Sequence, residues 1–67
     1  MTITFKPLWK LLIDKDITKE DLRIATGLSA ATIAKMGKDG NVTTEVLARI
    51  CTALHCDIKE IMDVTDY

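Results

Sequence analysis

The sequence has little of what stabilises a small extracellular domain or anchors a membrane protein. Its 67 residues include two cysteines, one proline, one tryptophan, one tyrosine and one phenylalanine. Two cysteines, Cys51 and Cys56, make no disulfide framework, so we interpret them as free thiols in a reducing compartment. The apolar segment "PLWKLLI" is short and interrupted by Lys10, far from the roughly 20 residues of a membrane span. We therefore expect a cytoplasmic protein without a signal peptide or membrane segment.

Length and charge restrict the function classes further. A chain of this length predicts one domain over residues 1–67, with a core at about 5–62 and a short C-terminal tail at 63–67. The net charge of −1 is not typical of a nucleic-acid-binding protein. The charge is uneven, however, because residues 1–38 hold seven basic and four acidic side chains, a net of +3, whereas residues 39–67 hold two and six, a net of −4. This polarity indicates a module with one weakly basic end.

Hydrophobic periodicity and cap residues predict an all-α, compact five-helix domain. Phe5, Leu8, Trp9, Leu12 and Ile13 form the apolar stripe of an amphipathic first helix at about 6–15. Hydroxyl and carboxylate residues at cap positions predict four further helices, at about 18–26 and 30–37, between Thr43 and His55, and a short one after Asp57 that buries Ile58, Ile61 and Met62. No strand is predicted, because the early segment "TITF" is too short.

Helices two and three are joined by a short turn, Gly27-Leu28-Ser29, which is typical of a helix-turn-helix. Gly27 suits the end of a helix, and Ser29 is a good N-cap for the next one. The segment "TGLSAATIAKM" opens its second helix with small, uncharged residues and ends with a basic one, and Lys38 follows. Such a pattern suits a helix that approaches an anionic surface closely.

Around this turn the segment "ITKEDLRIATGLSAATIAKMGKDGNVTTEVLARICTALHCDIKEIMDV" resembles the lambda-repressor-like, Cro-type helix-turn-helix regulators of the XRE family. The resemblance covers about residues 5–64. It implies a five-helix domain, sequence-specific binding of double-stranded DNA and, usually, transcriptional repression. The sequence differs from many members at the start of helix two, where Lys19 replaces Gln, at Arg23, which replaces Ala, and after the recognition-helix cap, where Ala30 and Ala31 replace polar residues.

The candidate DNA-binding residues follow from the docking geometry of a recognition helix, whose first turn faces base edges in the major groove. Alanine can touch a thymine methyl, hydroxyls can bond bases or phosphates, and lysines can reach guanine or phosphate. Each residue also has a role that does not involve DNA: the alanines as helix formers, Ser29 as a helix cap, and the lysines as solvated charges. The predicted set is Lys19, Ser29, Ala30, Ala31, Thr32, Lys35 and Lys38.

Other chemistry is weakly indicated. Cys51, His55 and Cys56 lack the fourth ligand that a structural zinc site needs, and no base, nucleophile pair or phosphate loop appears, so we predict no metal, no cofactor, no small-molecule ligand and no enzymatic activity. Trp9 is expected in the core. The main alternative function is a protein-interaction module on the same fold.

A single helix reads too few base pairs to select one site in a genome. We therefore expect a homodimer on a palindromic operator. Its candidate interface is formed by Ile61, Met62, Val64 and Tyr67.

Overall fold

Most of the chain is helical, and one short strand near each end of the chain pairs with the other. The computed structural model describes residues 2–65, whose elements in chain order are β1 (Thr2–Thr4), α1 (Lys6–Asp14), α2 (Lys19–Thr26), α3 (Ala30–Gly37), α4 (Thr44–Leu54), a 3₁₀ turn (Ile58–Glu60) and β2 (Asp63–Thr65). Helix α2 packs against α3 and α4, and the 3₁₀ turn packs against α1 and α4. Within residues 2–65, no helix has the length and apolar character to span a bilayer.

Three of the helices begin at the hydroxyl caps that the sequence predicts. Thr18 and Asp21 form a complete capping box, with the Asp21 N–H donating to Thr18 Oγ1 and the Thr18 N–H donating to Asp21 Oδ2, both at 3.1 Å. Ser29 and Thr43 cap α3 and α4 through a bond of the first kind, in which the side-chain oxygen accepts from the backbone N–H three residues later. These bonds satisfy backbone donors that a helix start leaves free. Each helix start is therefore fixed by a hydrogen bond within a segment of four residues.

Two helices end in the left-handed backbone conformation. Gly27 has φ of +72° after α2, and its N–H donates to the Arg23 carbonyl. His55 has φ of +53° after α4, and both its N–H and that of Cys56 donate to the Cys51 carbonyl. Glycine enters this conformation without a steric penalty, whereas His55 does so at a cost in free energy.

The helical prediction is correct for α1 to α4, but the count of five helices is wrong. The predicted last helix is a single 3₁₀ turn. The Asp57 N–H donates to Glu60 Oε2 at 2.8 Å, while the Glu60 N–H goes to the Asp57 backbone carbonyl at 3.0 Å. The chain then leaves the helical conformation, because Asp63–Thr65 pairs with β1.

The prediction that no strand forms is also wrong. Strands β1 and β2 are antiparallel, with Ile3 opposite Val64. The segment expected to be a tail therefore contributes residues 63–65 to this pair. Residues 66 and 67 lie outside the part of the chain that the structure describes.

An aliphatic core lies between the helices. Its buried side chains are Phe5, Leu8, Leu12, Leu22, Leu28, Ile33, Met36, Ile50, Leu54 and Ile61. Two expected members are exposed instead: Ile13 is 77% exposed and Ile58 is 46% exposed. Trp9, Cys51 and Met62 are only partly buried against the core.

A side chain from the loop after α3 holds the start of the chain. Asp39 Oδ1 accepts from the Phe5 N–H at 2.9 Å and from Thr4 Oγ1 at 3.3 Å. Phe5 is the N-cap residue of α1 and has no side-chain hydroxyl, and Asp39, 34 residues away in the sequence, accepts from its backbone N–H. This bond fixes the β1–α1 junction to the C-terminal end of α3.

Candidate functional site

Buried contacts set the angle between α2 and α3. The buried Thr26 Oγ1 donates to the Leu22 carbonyl at 2.7 Å and accepts from the Leu28 N–H at 3.4 Å. Leu28 is buried directly before the cap of α3, and Ile33 and Met36 are buried on the inner face of that helix. With Gly27 left-handed between the helices, the turn has one defined geometry. Helix α3 is therefore held with its other face exposed.

The first turn of α3 is capped and carries no charge. Ser29 Oγ accepts from the Thr32 N–H at 3.1 Å and shares a hydrogen bond with Thr32 Oγ1 at 3.0 Å. Ala30 and Ala31 are exposed, and no acidic residue lies in this turn. The partial positive charge of the helix start therefore faces outward, and no carboxylate in its own first turn offsets it.

The exposed side chains of α3, with Lys19 at the start of α2 and Lys38 after α3, form one surface, which we call the α3 face. Two shallow hollows meet on it. One, between α2 and α3, includes Lys19, Ala30 and Ala34. The other is lined by Ala31, Ala34, Lys35 and Lys38. Lys35 also borders the start of α4, beside Thr32. The structure thus brings the predicted residues together along one side of the molecule.

Lys35 is held by the loop that follows α3. The Lys35 carbonyl accepts from the N–H groups of Lys38 and Gly40, at 3.1 and 2.9 Å. A Cβ on Gly40 would lie 2.6 Å from Lys35 Cγ and 3.0 Å from the Lys35 carbonyl oxygen. Only glycine lets the loop approach the lysine stem this closely, so Gly40 supports the position of Lys35, which the sequence analysis did not predict. Its sole signal was a Gly-rich loop one turn after a lysine.

Ion pairing distinguishes the cations of the molecule. Among residues 2–65 the ion pairs are Arg23 with Glu20 and Arg49 with Glu45. The hydrogen bond from Arg23 lowers the pKa of Glu20, and the same bond raises the pKa of Arg23. None of the lysines in this part of the chain lies within 4.0 Å of a described carboxylate. The α3 face therefore carries three lysines that pair with no described carboxylate: Lys19, Lys35 and Lys38.

Lys19 contacts an aromatic ring, and its ammonium group has no carboxylate partner among residues 2–65. Its Nζ lies 4.6 Å from the centroid of the Trp9 ring, and a Cβ placed on Gly37 would lie 3.9 Å from the same nitrogen. The sequence placed Trp9 in the core, and the ring is indeed partly buried, but its face also receives this ammonium.

The cysteines lie in a different region of the molecule. Cys51, His55 and Cys56 line a hollow at the end of α4 with Asp57 and Glu60. Burial raises the pKa of the Cys56 thiol, and the neighbouring Cys51 raises it further. Among the described residues, no group of three or more His, Cys, Asp or Glu side chains is arranged to hold a metal ion.

Two comparisons find similar proteins. The Cro/C1-type HTH DNA-binding domain family matches residues 7–66. The chain is also similar to a solved structure described as the crystal structure of transcriptional regulator VanUg, Form II, with 47% sequence identity and a TM-score of 0.89 over 92% of this chain and 83% of that chain. No curated protein matches the chain.

Proposed function

Because the chain belongs to the Cro/C1-type helix-turn-helix DNA-binding domain family, we propose that it is a transcriptional regulator that binds double-stranded DNA sequence-specifically and represses by occupying an operator. The similarity to a solved transcriptional regulator supports the regulatory role. We propose no enzymatic activity, a single domain over residues 1–67, and action in the cytoplasm.

The observation that carries this proposal is the α3 face. It combines an uncharged, capped helix start with three lysines that no described carboxylate neutralises. In a helix-turn-helix the first turn of the second helix meets base edges in the major groove. Small side chains at Ala30 and Ala31 permit a close approach, and their methyl groups suit thymine.

The remaining residues have distinct proposed roles. Lys35, one turn into the helix, reaches a guanine acceptor or a phosphate. Lys38 and Lys19, at the two edges of the face, bind phosphates. Ser29 and Thr32 offer hydroxyl groups to bases or phosphates. Phosphate contacts supply affinity and register, whereas the contacts of α3 with base edges supply sequence preference.

Selectivity requires more than one copy of this helix. One recognition helix reads a few base pairs, and a genome offers on the order of 10⁶ or more competing sites. We propose a symmetric homodimer on a palindrome whose half-sites lie about 10 base pairs apart. Ile61 is fully buried in the core and cannot serve the interface. Met62, Val64 and β1 remain as candidates, together with Tyr67, which lies outside the described residues.

The assembly is tested by sedimentation of two variants, free and on operator DNA. Deletion of residues 64–67 should lower operator affinity sharply and random-DNA affinity much less. Because the deletion also removes the Ile3–Val64 pairing, Val64→Glu provides a milder test that keeps the backbone. Occupancy of the operator by a single copy of the full-length chain would refute the dimer, and a dimer that survives both changes has another interface.

A second candidate function, a protein-interaction module on this fold, draws support from two observations. The net charge is −1, and Arg23 is already engaged by Glu20. This candidate predicts little affinity for duplex DNA.

Selection of binding sites from random duplex DNA distinguishes the two candidates. The repressor proposal predicts an enriched palindromic motif, with an observed binding constant that falls with salt at a slope of about −0.9 per phosphate contact. Absence of duplex binding by fluorescence anisotropy at ~50 mM salt and micromolar protein, conditions that favour phosphate contacts, would support the interaction module instead.

A further inference from the structure

The ammonium group of Lys19 lies where three helices meet. Lys19 is the first residue of α2, Trp9 belongs to α1, and Gly37 is the last residue of α3. The Nζ atom lies 4.6 Å from the Trp9 ring centroid and beside the Gly37 backbone. No described carboxylate lies within 4.0 Å of it.

The two neighbours attract a cation without cancelling its charge. The face of a tryptophan ring is the most favourable aromatic surface for an ammonium group. The C-terminal end of α3 carries partial negative charge from its backbone carbonyls. At the start of α2, by contrast, a positive side chain is unfavourable. Trp9 and the end of α3 thus stabilise the lysine in a place that its own helix disfavours.

Arg23 shows the alternative way of ordering a cation. It is also on α2, but it is held by Glu20, whose carboxylate neutralises it. A cation that is paired in this way must lose its carboxylate before it adds net charge to a phosphate contact. A cation held on a ring face keeps its full charge for a new anion, because the ring is neutral.

We propose that Trp9 is a positioning residue of the DNA interface: its ring holds the Lys19 ammonium at the edge of the α3 face, ready for a phosphate of the duplex. The inference rests on the proposed function. Its physical basis is preorganisation, since a long flexible side chain that is already ordered loses less conformational entropy on binding.

Substitutions of Trp9 and of Lys19 should change duplex binding in different ways. Trp9→Leu leaves the charge of Lys19 but frees its side chain, so duplex affinity should fall about three- to tenfold, equally on operator and random DNA, with an unchanged salt slope. Lys19→Met removes the contact itself and should reduce the salt slope by about 0.9. Trp9→Phe keeps a weaker ring face and should retain part of the affinity.

Trp9 also packs against the core, so a purely structural role must be excluded. A double-mutant cycle does this, measured by anisotropy at a temperature where circular dichroism shows every variant folded. In the Lys19→Met background, Trp9→Leu should cause no further loss. Should Trp9→Leu not fold, Trp9→Phe completes the same cycle.

The outcomes distinguish this inference from the proposed function. An equal loss from the Trp9 substitution with and without Lys19, or no loss in either background, overturns the positioning role while wild-type binding still stands. Absence of duplex binding by the wild-type chain overturns both.

Discussion

Helices α3 and α4 begin with the same local chemistry. Each follows an extended hydroxyl residue whose side chain accepts from the backbone N–H three positions later: Ser29 from Thr32 at 3.1 Å, and Thr43 from Val46 at 3.3 Å. Each buries two large side chains on its inner face.

The second helical position separates them. In α4 it is Glu45, which lies in the positive first turn and also accepts from Arg49 Nη2 at 2.9 Å. In α3 it is Ala31, and the first turn holds no acid. A carboxylate in the first turn contributes about 0.3–1 kcal/mol. In α4 the carboxylate of Glu45 provides this stabilisation, whereas the start of α3 has no such carboxylate and can bind an external anion.

The largest expected effect comes from giving α3 the residue of α4. Ala31→Glu should weaken binding to duplex DNA about 30-fold or more, because a like charge against phosphate costs several kcal/mol. The free energy of unfolding should stay the same or rise by about 0.3–1 kcal/mol, because the new carboxylate offsets the helix dipole. Anisotropy and urea denaturation measure the two quantities. Full DNA affinity in this variant would show that the first turn of α3 does not face the duplex.

Substitution of Lys35 and of Lys38 should affect DNA binding differently. Lys35→Ala should relax preference at one base pair, worth ~1–3 kcal/mol if the contact is to guanine. Lys38→Ala should weaken all sequences alike and reduce the salt slope by about 1. Affinities for operator and random duplexes over a range of salt concentrations measure both. Lys59→Ala, in the 3₁₀ turn, is the matched control and should change neither. Equal losses for both variants on specific and random DNA would show that Lys35 is only a phosphate contact.

The elements that sequence predicts best are those fixed by local hydrogen bonds. Thr18, Ser29 and Thr43 each cap a helix through a bond that spans three residues. The turn at Gly27 and the left-handed end at His55 follow from equally local geometry. Such features need no knowledge of distant contacts, so these residues locate the starts of α2, α3 and α4 and the ends of α2 and α4 closely.

The missed elements depend on distant partners. Each strand of the β1–β2 pair has three residues, and the pairing joins Thr2 to Thr65. Neither segment is long enough to show alternation, so only the closed fold reveals it. The same pairing explains why the predicted last helix stops after one 3₁₀ turn.

The composition of the site was readable from sequence, but its organisation was not. The distance of Lys35 from every described carboxylate, the close approach of Gly40 and the contact of Lys19 with Trp9 all depend on how helices and loops pack. Ile13 follows the apolar period of α1 yet is exposed.

The reverse exchange should affect stability and leave DNA binding intact. Glu45→Ala removes both the carboxylate from the first turn of α4 and the exposed ion pair with Arg49. The free energy of unfolding should fall by about 0.5–1 kcal/mol, measured by urea denaturation, with unchanged affinity for the operator. A loss of affinity as large as that of Ala31→Glu would show that the two helices do not divide the roles as proposed.

The smallest effect concerns the paired cation of α2. Hydrogen bonding to Arg23 holds the pKa of Glu20 below its ordinary value of 4.5. Because the pKa is lower in the folded state, this pair stabilises the fold fully above the ordinary, unfolded-state pKa. The contribution is lost as the pH falls through the folded-state pKa. Glu20→Gln should therefore lower stability slightly at pH 7 and by a smaller amount at pH 3, as measured by urea denaturation. A difference that is equal at both pH values would exclude the ion pair as its source.

The salt dependence of duplex binding tests the α3 face most directly. We would compare the slope of log Kobs against log salt for the wild-type chain and the Lys19→Met/Lys35→Ala/Lys38→Ala triple variant. Each phosphate contact contributes about 0.9 to the slope, so loss of three contacts should reduce its magnitude by about 2.7, or by about 1.8 if Lys35 binds a base. The control variant Lys15→Ala/Lys59→Ala changes lysines away from α3 and should keep the wild-type slope. An unchanged slope in the triple variant, with duplex binding retained, would contradict the assignment of the α3 face to DNA.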